Sequence, residues 1–362
     1  MQCKGGFKEE EHLKGTVRDY NIHNIVTFKI VDQTNFLDKY LSNVGMQYKN
    51  FEAEKISNLD FIVYLGNFTP SNQKCYILDD RYYVKEDYFY CKDSRKLTKW
   101  EFEMSGFESG DMVAHIHTNL AGNFSILVNI IDFLIHFKMN EKGFPLVHAS
   151  CISKDNHAFL FPARSGGGKT TVALYFVEKG FDFLGDNYII LHGGNALSFL
   201  SPLNIFTYNL TPVIKKNFGF RNRITLDLKY LLYRMTSGYI KMFTKVNIKE
   251  MLPNQMIDKS ELDSIFFIIP RGKLRIENIG KEELINRLVT NQELDFFHLP
   301  FLRYILAYSY MFPDSNMSTH WDKYKENLRR NISENIPIFK VEVPQKYDTN
   351  VLEKIFKLVA KN

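Results

Sequence analysis

A chain of 362 residues, 45% apolar and 15% aromatic, has material for one large core or two smaller ones and is not a disordered polymer. Its formal net charge of +5 is modest for that length, and no recognition motif accompanies it, so nucleic acid is not an expected partner. The abundance of Phe and Tyr (31 and 20) reads as compositional bias rather than a binding signal.

The opening MQCKGGFKEEEHLKG has no apolar core, so no secretory signal is expected and the expected location is cytoplasmic. Cys3, Cys75, Cys91 and Cys151 are scattered, with no Cys-x-x-Cys pair or Cys/His ligand spacing. That pattern predicts reduced thiols and no zinc site. From about 25 to 118, aromatic and β-branched runs alternate with turn residues: KCYIL (74–78), RYYV (81–84), YFYC (88–91) and LTKWEFEM (97–104). Such close spacing predicts antiparallel hairpins. Residues 124–139 predict a buried amphipathic helix. Its apolar run FSILVNIIDFLIHF (124–137) is broken by Asn129 and Asp132 and falls short of the ~20 residues that span a bilayer, so no membrane partner is expected.

Past residue 144 the pattern changes. FPLVHASCIS (144–153) and HAFLFPA (157–163) predict two apolar strands joined by a turn at 154–156. The run ARSGGGKTT (163–171) follows, then an amphipathic helix over 170–179 stopped by Gly180. Strands are predicted at 181–186, 188–191 and 196–200, with a turn at 192–195. Residues 211–250 hold six Lys and three Arg against Asp227 and Glu250, more than the whole positive surplus. This basic strip points to an anionic partner. SIFFIIP (264–270) predicts a central strand, 271–279 its hairpin return, and 281–289 a helix. The tail predicts a strand at 336–343 and a helix at 350–361. A domain boundary is expected between 119 and 145, giving 1–140 as a β-rich accessory domain ending in a helix and 141–362 as a nucleotide-binding domain.

The run at 163–171 matches a phosphate-binding loop except at its first position. In that motif glycines let backbone N–H groups converge on phosphates, the lysine neutralises β/γ charge, and the hydroxyl residue ligates Mg²⁺. Gly168, Lys169 and Thr170 fill the last three positions, and Ser165, Gly166 and Gly167 keep the loop small. Ala163 stands where the first glycine belongs, which costs about 1–2 kcal/mol if that position needs a positive φ and little otherwise. A strand before the loop and a helix after it set the helix N-terminus against an anion. The helix carries the chain about 15 Å away and strand 181–186 returns it about 20 Å, so Asp186 arrives back at the phosphate end. A carboxylate there can hold Mg²⁺, orient a nucleophile or accept its proton. The tight hairpin also brings His148 beside the residues near 162.

The stretch LVHASCIS…AFLFPARSGGGKTTVALYFVEKGFDFLGDN resembles the catalytic core of the HPr serine kinase/phosphorylase family and its HPr-kinase-like relatives. There, a histidine-bearing strand precedes a GxSGxGKS/T loop, and a short glycine-stopped helix leads to a strand ending in two aspartates. IFFIIPRGKLRIENIGKEELINRLV and IPIFKVEV resemble the C-terminal half of those relatives. The resemblance implies an α/β fold: an HPr-kinase/phosphoenolpyruvate-carboxykinase-like P-loop nucleotide domain with a β-rich N-terminal accessory domain. It implies ATP and Mg²⁺ as cofactors and transfer of the γ-phosphate to a serine or threonine of a protein or peptide. By position, Lys169 matches the phosphate-contacting lysine, Thr170 the Mg²⁺ ligand, Asp186 the general base and second metal ligand, and His148 the family histidine. Ser165, Gly166, Gly167, Gly168 and Thr171 complete the nucleotide-binding set. Ala163 and Asn187 depart from the pattern, where the family has a glycine and a second aspartate, and no phosphorylase-linked loop sequence is found. Those departures leave an alternative, an ATP-binding module with weak or no transfer activity that serves as a sensor or partner protein. A homo-oligomer is compatible with either.

Overall fold

The computed structural model describes residues 15–34, 43–206, 218–235, 244–344 and 349–360. They form a mixed α/β protein with two large sheets, one in each of two compact units. The first unit comprises the described part of Met1–Lys142 with Asp295–Lys323, and the second comprises that of Gly143–Leu294 with Tyr324–Asn362.

The first unit is built on a nine-stranded sheet. Its order is Glu52–Ala53, Thr16–Ile22, Val26–Asp32, Phe61–Leu65, Met112–Thr118, Thr98–Ser105, Tyr88–Arg95, Tyr82–Lys85 and Tyr76–Leu78. The last five make the antiparallel hairpins that the aromatic runs predict. Val26–Asp32, Phe61–Leu65 and Met112–Thr118 instead run parallel, which corrects the purely antiparallel expectation. Parallel neighbours need long crossovers, which leave no local signature in the strands themselves. Tyr20, Phe28 and Phe61 stack across three adjacent strands at centroid spacings of 4.8 and 4.9 Å. The helix expected at 124–139 is two helices, Leu120–Ser125, capped by the Asn119 side chain, and Leu127–Glu141. The second is buried from Phe133 through Asn140 and so is not amphipathic there. Helix Phe301–Met311, which no sequence pattern announces, inserts Tyr304 into the same core, where its hydroxyl accepts a 2.8 Å bond from Trp100 Nε1.

In the second unit the sheet order is Leu146–Val147, Ile189–His192, Asn195–Ser198, Lys259–Pro270, His157–Pro162, Ala149–Lys154 and Asp182–Gly185. Lys259–Pro270 is the central strand. It runs parallel to His157–Pro162 over its first half and to Ile338–Val343 over its second. Phe161, Phe266 and Phe339 stack across these three strands at 5.3 and 5.1 Å, a cross-strand ladder that fixes their register. Two expectations are corrected. Strand Arg275–Asn278 pairs with Ile338–Val343 rather than folding back on 264–270, whose edge the parallel strand already occupies. The strand expected over 144–153 breaks at His148, with Leu146–Val147 joining Ile189–His192 and Ala149–Lys154 forming the hairpin. That hairpin turns on Asp155 and Asn156 at φ 52 and 66°, the left-handed pair that suits strand twist.

Of the basic strip 211–250, residues 211–217 and 236–243 lie outside the described residues, as does Cys3; helix Phe220–Met235 lies within them. Among the described residues no helix is long and apolar enough to cross a membrane.

Candidate functional site

The His157–Pro162 strand ends at the carboxyl edge of three parallel strands, the edge where open α/β sheets place their ligands. Ala163 continues it by one residue, fully buried and bridged to Ile268. Its φ is not positive, so the missing first glycine costs no backbone strain. The requirement for glycine falls later in the loop. Gly166 and Gly168 have φ of 80 and 89°, a region that costs other residues about 1–2 kcal/mol. Gly167 donates its amide to the Arg164 carbonyl at 2.8 Å. A Cβ on Gly167 would lie 2.9 Å from that oxygen and 3.0 Å from the Ala163 Cβ, so no side chain fits.

Gly168 caps helix Lys169–Glu178, whose first intrahelical bond runs from Val172 N to Gly168 O at 3.0 Å. The first-turn N–H groups of such a helix point into the loop and concentrate partial positive charge there. The other end stops at Gly180, φ 87°, with Phe181 N bonded to Phe176 O and Gly180 N to Val177 O, both at 3.1 Å. This is a Schellman closure, and it turns the chain directly into the returning strand.

Strand Asp182–Gly185 pairs antiparallel with Ala149–Lys154, Gly185 opposite Cys151. Asp186 follows it and meets the start of the helix. Thr170 Oγ1 donates to Asp186 Oδ2 at 2.7 Å, and the carboxylate is 3% exposed. Its other oxygen, Oδ1, is buried with no hydrogen-bond partner among the described residues. An unmatched buried acceptor costs about 1–3 kcal/mol, more when charged, and few persist without a reason. Two serines hold the frame. Ser201 Oγ donates to the Asp186 carbonyl and Ser150 Oγ to the Lys169 carbonyl, each at 3.1 Å. Neither serine belongs to a motif, so the sequence gives no sign of them.

Lys169 is 6% exposed at the first position of the helix, while Ser165 and Gly166 are exposed at the tip of the loop and Thr171 is half-buried. Asn187 has φ 77°, a left-handed conformation that asparagine tolerates better than most residues. His148 is half-buried, and its ring lies 5.9 Å from that of Tyr188, two residues past Asp186. With Ala149 opposite Pro162, His148 stands at the end of the hairpin where the loop departs. The structure thus brings the loop, Lys169, Thr170 and Asp186 together, and sets His148 at the same end of the sheet.

The residues present suit a divalent cation with a polyphosphate. Mg²⁺ is commonly held by one or two protein oxygens, with phosphate oxygens and water completing its shell. Thr170, its proton directed at Asp186, keeps oxygen lone pairs for a cation, and the Asp186 carboxylate lies beside it.

No protein-family model matches the chain, and no curated protein matches it. Among solved structures it is similar to the Hpr(Ser) kinase/phosphatase from Coxiella burnetii, at 10% identity and a TM-score of 0.28, covering 60% of this chain and 88% of that one. A likeness of that size bears neither on the site nor on the activity.

Proposed function

We propose that the protein is an ATP-dependent kinase that transfers the γ-phosphate to a serine or threonine hydroxyl of a protein or peptide. The observation that carries this reading is the Thr170–Asp186 pair at the helix N-terminus, with the second carboxylate oxygen buried and unmatched among the described residues. The phosphate-loop motif and the sequence resemblance described above support it. In this reading the amides of Gly166–Gly168 and the Lys169 ammonium bind and orient the β- and γ-phosphates, opposing the charge that spreads over them during transfer. Thr170 Oγ1 and the Asp186 oxygen it bonds to, Oδ2, would hold Mg²⁺, which when bound would neutralise phosphate oxygens. Asp186 Oδ1, not spent on the metal, accepts a hydrogen bond from the acceptor hydroxyl and takes its proton as that oxygen attacks the γ-phosphorus, while the bond to the β,γ-bridging oxygen breaks and ADP leaves. His148 orients groups at the same edge.

A second reading, an ATP-binding module with weak or no transfer, is favoured by Asn187. Its left-handed backbone suits an amide residue, and it leaves Asp186 as the one carboxylate at the end of this strand. One experiment separates the two. Incubation with γ-labelled ATP, Mg²⁺ and a soluble lysate moves label to a protein acceptor with the native chain and not with Asp186→Asn if the kinase reading holds. Nucleotide binding with neither transfer nor ADP release supports the module, and ADP release without transfer marks an ATPase.

A further inference from the structure

Helix Phe220–Met235 faces the wrong way for a helix of a self-contained domain. Its one buried side chain is Leu226. Phe220, Ile224, Leu228, Leu231 and Met235, spaced 4, 4, 3 and 4 residues apart, form one row along the helix, and each is between 51% and 78% exposed. At 100° per residue, Leu226 lies about 200° around from Ile224, so the row points away from the face that packs on the protein. The row is roughly 22 Å long. Arg221 borders it on one side and Arg223 and Arg234 on the other, all exposed, and Asp227 is the single acidic residue of the helix. Continuous exposed apolar rows with charged borders mark contact surfaces.

The charges discriminate among occupants. A second copy would bring two arginine-bordered rows together, three guanidiniums against one carboxylate on each side, and repel itself. A protein partner must supply an apolar groove with an acidic rim matched to a protruding ridge. An anionic bilayer offers the needed layering without any shape matching, with phosphates at the level of the guanidiniums and hydrocarbon beneath them. Arginine suits such a border because its apolar stem follows the row inward while its head stays with the phosphates.

We propose that helix Phe220–Met235 docks the protein on anionic lipid surfaces, its apolar row below the headgroups and Arg221, Arg223 and Arg234 on the lipid phosphates. The proposal is independent of the nucleotide reading. It also reverses the expectation of no membrane partner, which rests on the lack of a spanning segment and does not address a helix lying in the interface.

The test is flotation of the full chain with vesicles of phosphatidylcholine alone and of phosphatidylcholine with a third phosphatidylglycerol, at low and high salt, beside size-exclusion chromatography. The expected result is binding to the anionic vesicles, weaker by about a hundredfold on the zwitterionic ones for three arginines, and lost at high salt. Leu228→Asp with Leu231→Asp abolishes it, with unchanged thermal unfolding because both positions are exposed. Arg221→Glu with Arg234→Glu abolishes it too, and serves should the first pair fail to fold. No binding to anionic vesicles overturns the proposal, as does binding that ignores both pairs of substitutions. A dimer dispersed by the leucine substitutions assigns the row to a second copy and overturns it as well.

Discussion

Asp186 carries its two oxygens into unlike surroundings, one engaged by the Thr170 hydroxyl and one buried without a partner among the described residues. Thr170→Val would leave both without a donor. It is expected to lower stability by about 1–3 kcal/mol in a denaturant titration without ligand, while Thr170→Ser, which keeps the hydroxyl, costs well under half of that. Asp186→Asn keeps shape and removes the proton acceptor, so phosphoryl transfer is expected to fall by roughly 10²–10⁴-fold with the fold intact. Ala163 gives a prediction of the opposite kind. Restoring the glycine of the motif gains nothing, because the position is buried, β-bridged and not at positive φ. Ala163→Gly is expected to leave ATP affinity unchanged and to cost about 0.5–1 kcal/mol of stability through added freedom in the unfolded chain. At this scale the sequence shows the groups that carry motif chemistry and hides those that hold them. That Lys169 and Thr170 open the helix and that Asp186 returns beside them is legible from spacing. Ser150 and Ser201 are ordinary serines until the fold places one on the Lys169 carbonyl and the other on that of Asp186.

Among the elements, the path from loop to helix to returning strand is legible because each joint has a local chemical mark: a glycine run, a helix stopped by glycine, a short apolar strand ending in an aspartate. The stop makes a measurable claim. A Cβ on Gly180 would meet nothing within 4 Å, so any cost of substitution is conformational rather than steric. At φ 87°, Gly180→Ala is expected to cost about 1–2 kcal/mol and Gly180→Asn distinctly less, read as shifts in denaturation midpoint. Equal costs would place the strain elsewhere. Helix Phe301–Met311 is not legible. It starts after Pro300 with no side-chain cap, and its aromatic-rich sequence shows no clean amphipathic edge. The parallel strands of the first unit are hidden for another reason: strand sequences report burial and alternation but not the direction of a neighbour reached through a crossover.

At the scale of the whole molecule, the chain leaves its first unit at Lys142 and re-enters it for Asp295–Lys323, a return that no linear composition shift reveals. The return brings His320 against His136, ring centroids 5.4 Å apart. Burial, with His320 nearby, holds His136 well below the ordinary histidine value, and burial, with Lys323 nearby, pushes His320 down to about 3. Both are therefore neutral in the folded chain at pH values where the unfolded chain already protonates them. Stability from this source is complete above pH ~6.5 and is lost as the pH falls from there toward 3. Denaturant midpoints measured from pH 7 to 4 are expected to drop over this window, and His136→Phe is expected to flatten the drop. A profile unaffected by that substitution would assign the acid sensitivity to other groups.

The most direct measurement is ATP binding by titration calorimetry with and without Mg²⁺, for the native chain and for Asp186→Asn. If the Thr170–Asp186 pair at the helix N-terminus is a metal–phosphate site, native affinity rises at least tenfold with Mg²⁺, and the variant, still folded, loses that gain. Native binding indifferent to Mg²⁺, or no ATP binding at all, would contradict the account.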